Sequence, residues 1–124
     1  MEFANLIVEK RQEIIDNLHS IGNYLTYQDL LEFGLRVINT PYETPDPGRV
    51  HVINDGDYQG TLVFIIAEQG YQPSGYYYTS VYYGSCSYCD TLQGVLENKD
   101  KVTRNKELYT LILHMFQNMH KMEG

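Results

Sequence analysis

The sequence predicts an α+β fold in which an antiparallel three-stranded sheet, a meander, is packed against two N-terminal and two C-terminal helices. Apolar residues recur at helical spacing near both ends of the chain, and three segments with strand composition follow one another between them. Sheets built from consecutive strands are antiparallel and commonly carry their helices on one face. At 124 residues the chain has the length of one ordinary domain, so we expect a single domain over residues 1–124.

The two N-terminal helices are predicted from apolar spacing and from their ends. In the first helix, apolar residues recur at intervals of three, four and seven from Phe3 to Ile21, and a glycine follows. The second helix begins after Thr26, which together with Asp29 forms a capping-box pattern, and it stops before Pro41. Both helices are amphipathic, so each needs a partner layer for its apolar side.

Residues 41–48 hold three of the four prolines and predict an irregular surface loop. Strand composition follows at residues 49–53, 61–68 and 76–83, and turn residues separate these three segments. A short helix is then expected over residues 91–96. A long final helix is predicted from its apolar stripe of Leu108, Leu111, Ile112, Met115, Met119 and Met122.

The chain is acidic, with 9 basic and 16 acidic residues and a net charge of −7. Residues 41–98 carry one basic and seven acidic residues, which argues against direct nucleic-acid binding and favours a basic protein surface as partner. No apolar stretch approaches the length of a membrane span, and the N-terminus lacks the pattern of a secretory signal. We therefore expect a cytoplasmic protein that does not enter a membrane, with self-association left open.

Cys86 and Cys89 form a C-x-x-C pair where a predicted strand meets a predicted helix. Thiols at a helix N-terminus favour the thiolate, so one interpretation is thiol-redox chemistry. A second interpretation is a zinc site that takes His114 as a further ligand. The third, which we prefer, makes both cysteines small buried residues and His114 a buried, hydrogen-bonded residue of a core helix. We predict no cofactor, and zinc stays the alternative.

Phosphate-loop, dinucleotide, hydrolase-elbow and metalloprotease motifs do not occur in the sequence, so we expect a protein without catalytic activity. Twelve tyrosines are the more informative feature, because tyrosine is common at interfaces. The Tyr-rich strand leads into a polar turn, Gly84–Gln93, where a helix start supplies free backbone N–H groups. The predicted binding residues are Tyr78, Tyr82, Tyr83, Gly84, Ser85, Ser87 and Asp90.

Three strings carry a resemblance to a known family: DGDYQGTLVF at 55–64, YYGSCSYCDTLQ at 82–93 and LHMFQNM at 113–119. Together they resemble a family of small, functionally uncharacterised proteins encoded by bacteriophages and prophages. In relatives glycine often stands at the position of Tyr88. The resemblance implies a phage accessory protein made in the bacterial cytoplasm, and it implies no activity or catalytic residue set.

From these features we expect a binding module that engages a host protein or a small ligand through the Tyr-rich strand and the Gly84–Gln93 turn. One alternative is a thiol-redox or zinc protein that uses Cys86 and Cys89. Another is a structural protein of the virion or of its assembly, which would require a defined oligomer.

Overall fold

The fold is α+β, as predicted, and a computed structural model describes it for residues 2–18, 25–38, 45–55, 60–68, 75–83, 91–97 and 100–122. Three helices precede three strands, and two helices and a short strand follow. In chain order the elements are α1 (Glu2–Glu9), α2 (Arg11–Asn17), α3 (Tyr27–Val37), β1 (Pro45–Asp55), β2 (Gly60–Glu68), β3 (Tyr76–Tyr83), α4 (Thr91–Leu96), α5 (Lys101–Gln117) and β4 (His120–Met122).

The N-terminal region differs from the prediction because the expected first helix is divided into α1 and α2. The division falls at Lys10, whose backbone (φ −98°, ψ 18°) leaves the helical range. Ile7 and Ile14, one on each side of the break, are both fully buried, so the two short helices share one core. The predicted capping box of α3 is confirmed: the Thr26 hydroxyl accepts from the Asp29 amide at 3.1 Å, and the Asp29 carboxylate accepts from the Thr26 amide at 2.9 Å.

The sheet has four strands in the order β1-β2-β3-β4, and all neighbouring strands are antiparallel. The predicted meander forms β1 to β3, but the expectation of three strands was wrong. Residues assigned to the end of the last helix instead form β4, which pairs with Tyr76–Tyr78. Met119 and Met122 have helical spacing, but the edge of β3 competes for the backbone hydrogen bonds of this segment.

An ion pair and an aromatic contact fasten β4 to the sheet. Lys121 Nζ lies 3.6 Å from the Glu68 carboxylate and 5.9 Å from the centre of the Tyr77 ring. The Glu68 side chain is nearly buried, and a Cβ on Gly75 would lie 3.3 Å from its carboxylate oxygen and 3.2 Å from Lys121 Cε. The small residue at position 75 therefore leaves the room that this ion pair occupies.

Strand β1 begins earlier than predicted and takes in part of the expected loop. Pro45 pairs with Glu68, but the next regular pair is Val50 with Ile66, so the register shifts between them. Within the irregularity the Asp46 carboxylate accepts from the Gly48 amide at 2.8 Å. Prolines are compatible with an edge strand that bulges, because such residues need no ladder hydrogen bond.

The helices pack against one face of the sheet, which we call the inner face. The Phe3 ring of α1 lies 5.3 Å from the Tyr77 ring in an edge-on arrangement, and the hydroxyl of Thr79 donates to the Met115 carbonyl of α5 at 2.6 Å. Inner-face positions of β2 and β3 are Leu62, Phe64, Ile66, Glu68, Tyr77, Thr79 and Val81. Of these, Phe64, Ile66 and Thr79 are fully buried.

The opposite side of the sheet, which we call the outer face, follows from strand alternation and register. Its positions range from half-buried on β2 to exposed on the neighbouring strands. The described side chains at these positions are those of His51, Ile53, Thr61, Val63, Ile65, Ala67, Tyr76, Tyr78, Ser80 and His120.

Helix α5 is the longest of the described helices and contacts the other four helices and β3. Asp100 caps its start, and hydrogen bonds from the Thr103 hydroxyl and the Val102 amide hold the pKa of that carboxyl below its ordinary value. Near the middle of α5 the Tyr109 hydroxyl donates to the Ile7 carbonyl of α1 at 3.2 Å. None of the helices within the described ranges is long and apolar enough to cross a membrane.

Candidate functional site

A groove of about 400 Å³ lies where α5 runs past the second half of β3. This volume is within the usual range of small-molecule sites, roughly 300–1,000 Å³. The groove combines apolar and hydrogen-bonding side chains from four elements. Its lining residues are Tyr27, Thr61, Ser80, Val81, Leu111, His114, Met115 and Asn118.

The groove exists because β4 is short. The Gly75 carbonyl accepts from the Glu68 amide at 3.1 Å, so the odd-numbered residues of β3 direct their backbone polar groups toward β2. Ser80 therefore directs its own N–H and C=O to the other side, beyond the Tyr76–Tyr78 segment that β4 pairs. In the β3–β4 register Asn118 would be the next residue opposite Ser80, but the chain there already belongs to the C-terminal cap of α5.

One side-chain hydrogen bond holds α5 at this position. The Thr79 hydroxyl donates to the Met115 carbonyl, and both groups lie in the buried interior. Met119, whose amide is the usual partner of that carbonyl, donates instead to Phe116 at 3.3 Å. The last turn of α5 is thus tied to β3 by a side chain, and the groove walls are fixed relative to each other.

Tyr27 connects the groove to the start of α4. Its side chain is buried, and its hydroxyl accepts from the Leu92 amide at 3.1 Å. Leu92 is the second residue of α4, whose first backbone amides have no partner within the helix itself. The start of α4, which the sequence predicted as part of a binding surface, therefore contacts a residue that lines the groove.

The polar lining of the groove consists of hydroxyl, amide and imidazole groups. Asn118 offers an amide, and Ser80 and Thr61 offer hydroxyls. A neutral imidazole has one donor and one acceptor nitrogen, so His114 can serve either kind of ligand group. No Asp, Glu, Lys or Arg is among the lining residues. This arrangement suits a ligand with hydrogen-bonding groups beside an apolar part.

His114 was predicted to be buried and hydrogen-bonded in the core, and that interpretation is wrong. The side chain is exposed and lines the groove. The reason is helical geometry, because Ile112 and Phe116, both fully buried, each lie about 200° around the helix from His114.

The tyrosines of β3 are divided between the two faces of the sheet, as the alternation predicted. Tyr77 is buried under the helices, whereas Tyr76 and Tyr78 are exposed on the outer face. The Tyr78 ring lies 5.4 Å from the His120 ring and does not line the groove. Tyr78 and His114, both predicted as site residues, therefore belong to different surfaces.

The remaining predicted site residues cannot be placed in the groove or away from it. Tyr82 and Tyr83 are the last backbone positions of β3, and their side chains lie outside the described residues. Also outside them are Gly84, Ser85, Cys86, Ser87, Cys89 and Asp90.

Sequence reasoning missed four polar or aromatic residues of the groove: Tyr27, Thr61, Ser80 and Asn118. Only Tyr27 had a local signal, since it follows the capping residue of α3 and shares that helix's apolar side. The other three meet through strand pairing and through the end of α5, which the sequence placed too late.

Within the described ranges, no group of three or more His, Cys, Asp or Glu side chains could hold a metal ion. Comparison of the chain with protein-family models, curated proteins and solved structures finds no match in any of the three. The groove and its lining are therefore the basis of the functional proposal.

Proposed function

We propose that the protein is a non-catalytic binding module whose ligand site is the groove between β3 and α5. The observation that carries this proposal is the convergence of His114, Asn118 and Ser80 on one cavity that apolar side chains also line. Polar groups that converge beside apolar side chains in a concave surface of this size are typical of ligand sites. The hydrogen bond between Tyr27 and Leu92 extends the proposed site to the start of α4.

The ligand we propose is an uncharged group with both donor and acceptor atoms, presented by a small molecule or by a side chain of a host protein. A charged ligand would find no opposite charge among the lining residues. If the ligand belongs to a host protein, the acidic middle of the chain, with one basic and seven acidic residues in 41–98, favours a basic protein surface around it. The resemblance to phage proteins supports a bacterial cytoplasm as the setting.

Ligand screening by NMR tests this proposal. We expect uncharged amides and alcohols to shift the amide signals of Ser80, Val81 and Asn118, and the variant Asn118→Leu to weaken such binding by about tenfold. Gln117→Leu is the matched control, because Gln117 is exposed on the same helix turn and is not a lining residue. Hits that map elsewhere, or equal affinities for the two variants, would contradict the proposal.

One observation favours a second candidate, the zinc or thiol protein. His114 is exposed in a groove whose Tyr27 contacts Leu92, and Leu92 lies three positions after Cys89 in the chain. Zinc bound by Cys86, Cys89 and His114 would be retained by the purified protein and lost in His114→Ala, as metal analysis can measure. Metal-free protein whose thiols react like ordinary cysteines would rule against this candidate.

A further inference from the structure

Strand β2 has the composition of a strand that is covered on both sides. Leu62, Phe64 and Ile66 point to the helices, and the intervening residues Val63, Ile65 and Ala67 are also apolar. A sheet with one wet face normally alternates apolar and polar residues, whereas a strand buried on both faces is apolar throughout. The helices within the described ranges pack on the inner face only, so this composition points to a second layer over the outer face.

The strands beside β2 continue the apolar surface. Ile53 on β1 is 44% exposed, and Tyr76 and Tyr78 on β3 are 46% and 40% exposed. Large apolar and aromatic side chains grouped on one surface are typical of interaction sites rather than of surface that stays in water.

The outer face also carries few charged side chains. Surfaces of soluble domains are roughly 25–35% Asp, Glu, Lys and Arg, so the ten described outer-face side chains should include about three such residues. They include none. The strand register also places one acidic residue on this face, Asp55, at the last position of β1. In a chain of net charge −7, this neutrality sets the face apart.

We propose that the outer face is a homodimer interface, in which two copies of this chain pack their sheets face to face. The outer face shares Thr61 and Ser80 with the lining of the groove, but the dimer proposal does not require the groove to bind a ligand. A neutral, apolar surface needs no partner of opposite charge and can pair with itself about a two-fold axis. Two chains of the same net charge repel each other least where both present a surface with few charges and no net charge.

The size of the face agrees with a dimer. The strands lie about 4.8 Å apart and rise about 3.3 Å per residue, so β1 to β3 form a surface up to roughly 30 Å long, which the three-residue β4 widens to roughly 19 Å at one end. A standard interface buries about 800 Å² of accessible surface on each partner. Side chains raise the accessible area above the projected area, so this face can supply an interface of that order, with the sheets about 10 Å apart.

Sedimentation velocity on the full chain tests the proposal. We expect the wild type to sediment with twice the mass of one chain at micromolar concentration. Ile53→Glu and Tyr78→Glu should each give a monomer, because each substitution would bury one carboxylate from each chain in the interface. Val102→Glu is the matched control, since Val102 is 53% exposed on α5, away from the sheet, and this variant should remain dimeric.

Far-UV circular dichroism shows whether each variant is folded, and using two face variants guards against one that is not. A wild type that stays monomeric at high micromolar concentration would overturn the proposal. So would a dimer that persists in both folded face variants, or one that Val102→Glu disrupts equally. Ile53 and Tyr78 do not line the groove, so ligand binding there should survive in the monomeric variants, and failure of the dimer can be told from failure of the proposed function.

Discussion

The inner and outer faces of the sheet are made from the same strands but differ in what their side chains meet. On the inner face Phe64, Ile66 and Thr79 are fully buried against helices. On the outer face the alternate residues of the same strands, such as Val63 and Tyr78, keep contact with solvent in the single chain although they are apolar. Apolar composition alone therefore does not tell which face stabilises the fold and which is available to a partner.

The largest expected effect on stability comes from comparing an isoleucine on the inner face with one on the outer face. Ile66 is fully buried on the inner face and Ile53 is 44% exposed on the outer face. We expect Ile66→Ala to lower the free energy of unfolding by about 2–5 kcal/mol, since it removes packed atoms and leaves a cavity. Ile53→Ala should lower it by about 1 kcal/mol or less. Urea denaturation of both variants gives these values.

Repeating the denaturation of Ile66→Ala and Ile53→Ala at several protein concentrations extends this comparison. The deficit of Ile66→Ala should be independent of concentration, because it arises within one chain. The deficit of Ile53→Ala should grow at concentrations where the wild type is dimeric, because dimerisation stabilises only the folded state. Equal losses for the two variants in dilute solution would contradict the assignment of inner and outer faces.

A second comparison tests how closely the helical layer over the inner face is packed. A Cβ on Gly34 would lie 2.6 Å from the Phe116 ring and 3.0 Å from Ile112, so α3 and α5 have no room for a methyl group. We expect Gly34→Ala to destabilise the fold by roughly 1–3 kcal/mol despite its better helix propensity. Gly94 lies on α4 and is exposed, and Gly94→Ala should stabilise by about 0.5–1 kcal/mol.

Thermal unfolding of both glycine variants measures the sign of each change. Opposite signs are expected, because both glycines lie in helices but Gly34 has no room for a methyl group, whereas Gly94 is exposed. A stabilised Gly34→Ala would mean that α3 and α5 are packed less closely than the contact distances indicate.

Local sequence signals predicted most of the elements. The bounds of β3 and α4, at Tyr76–Tyr83 and Thr91–Leu96, and the capping box at Thr26 depend on neighbours in the chain, and the structure confirms them. The break at Lys10, the bulged start of β1 at Pro45 and the whole of β4 depend on contacts with distant segments. Periodicity within one segment carries no information about such contacts.

The candidate site was less predictable than the fold, for the same reason. The exposure of His114 could have been predicted from its angle to Ile112 on α5, so that signal was present and was misread. The meeting of Ser80 with Asn118 could not have been predicted, because it requires the register between β3 and a strand that the sequence assigned to helix.

The smallest expected effect concerns the hydrogen bond that ties α5 to the inner face. Thr79→Val keeps the side-chain shape and removes the hydroxyl, which leaves the Met115 carbonyl buried without this donor. We expect a loss of about 1–2 kcal/mol in urea denaturation. Thr110 makes the same kind of bond, to the Lys106 carbonyl at 3.1 Å, on the exposed side of α5, and Thr110→Val should change stability by less than about 0.5 kcal/mol.

The two threonine variants also distinguish an effect on fold stability from an effect on ligand binding in the groove. Because Thr79 fixes the last turn of α5, its loss should let the groove wall move and weaken ligand binding at Asn118, whereas Thr110→Val should leave binding unchanged. If both variants lost the same stability, the buried bond would have no special role. The groove walls would then have to be held by the apolar packing of Met115 and Phe116 alone.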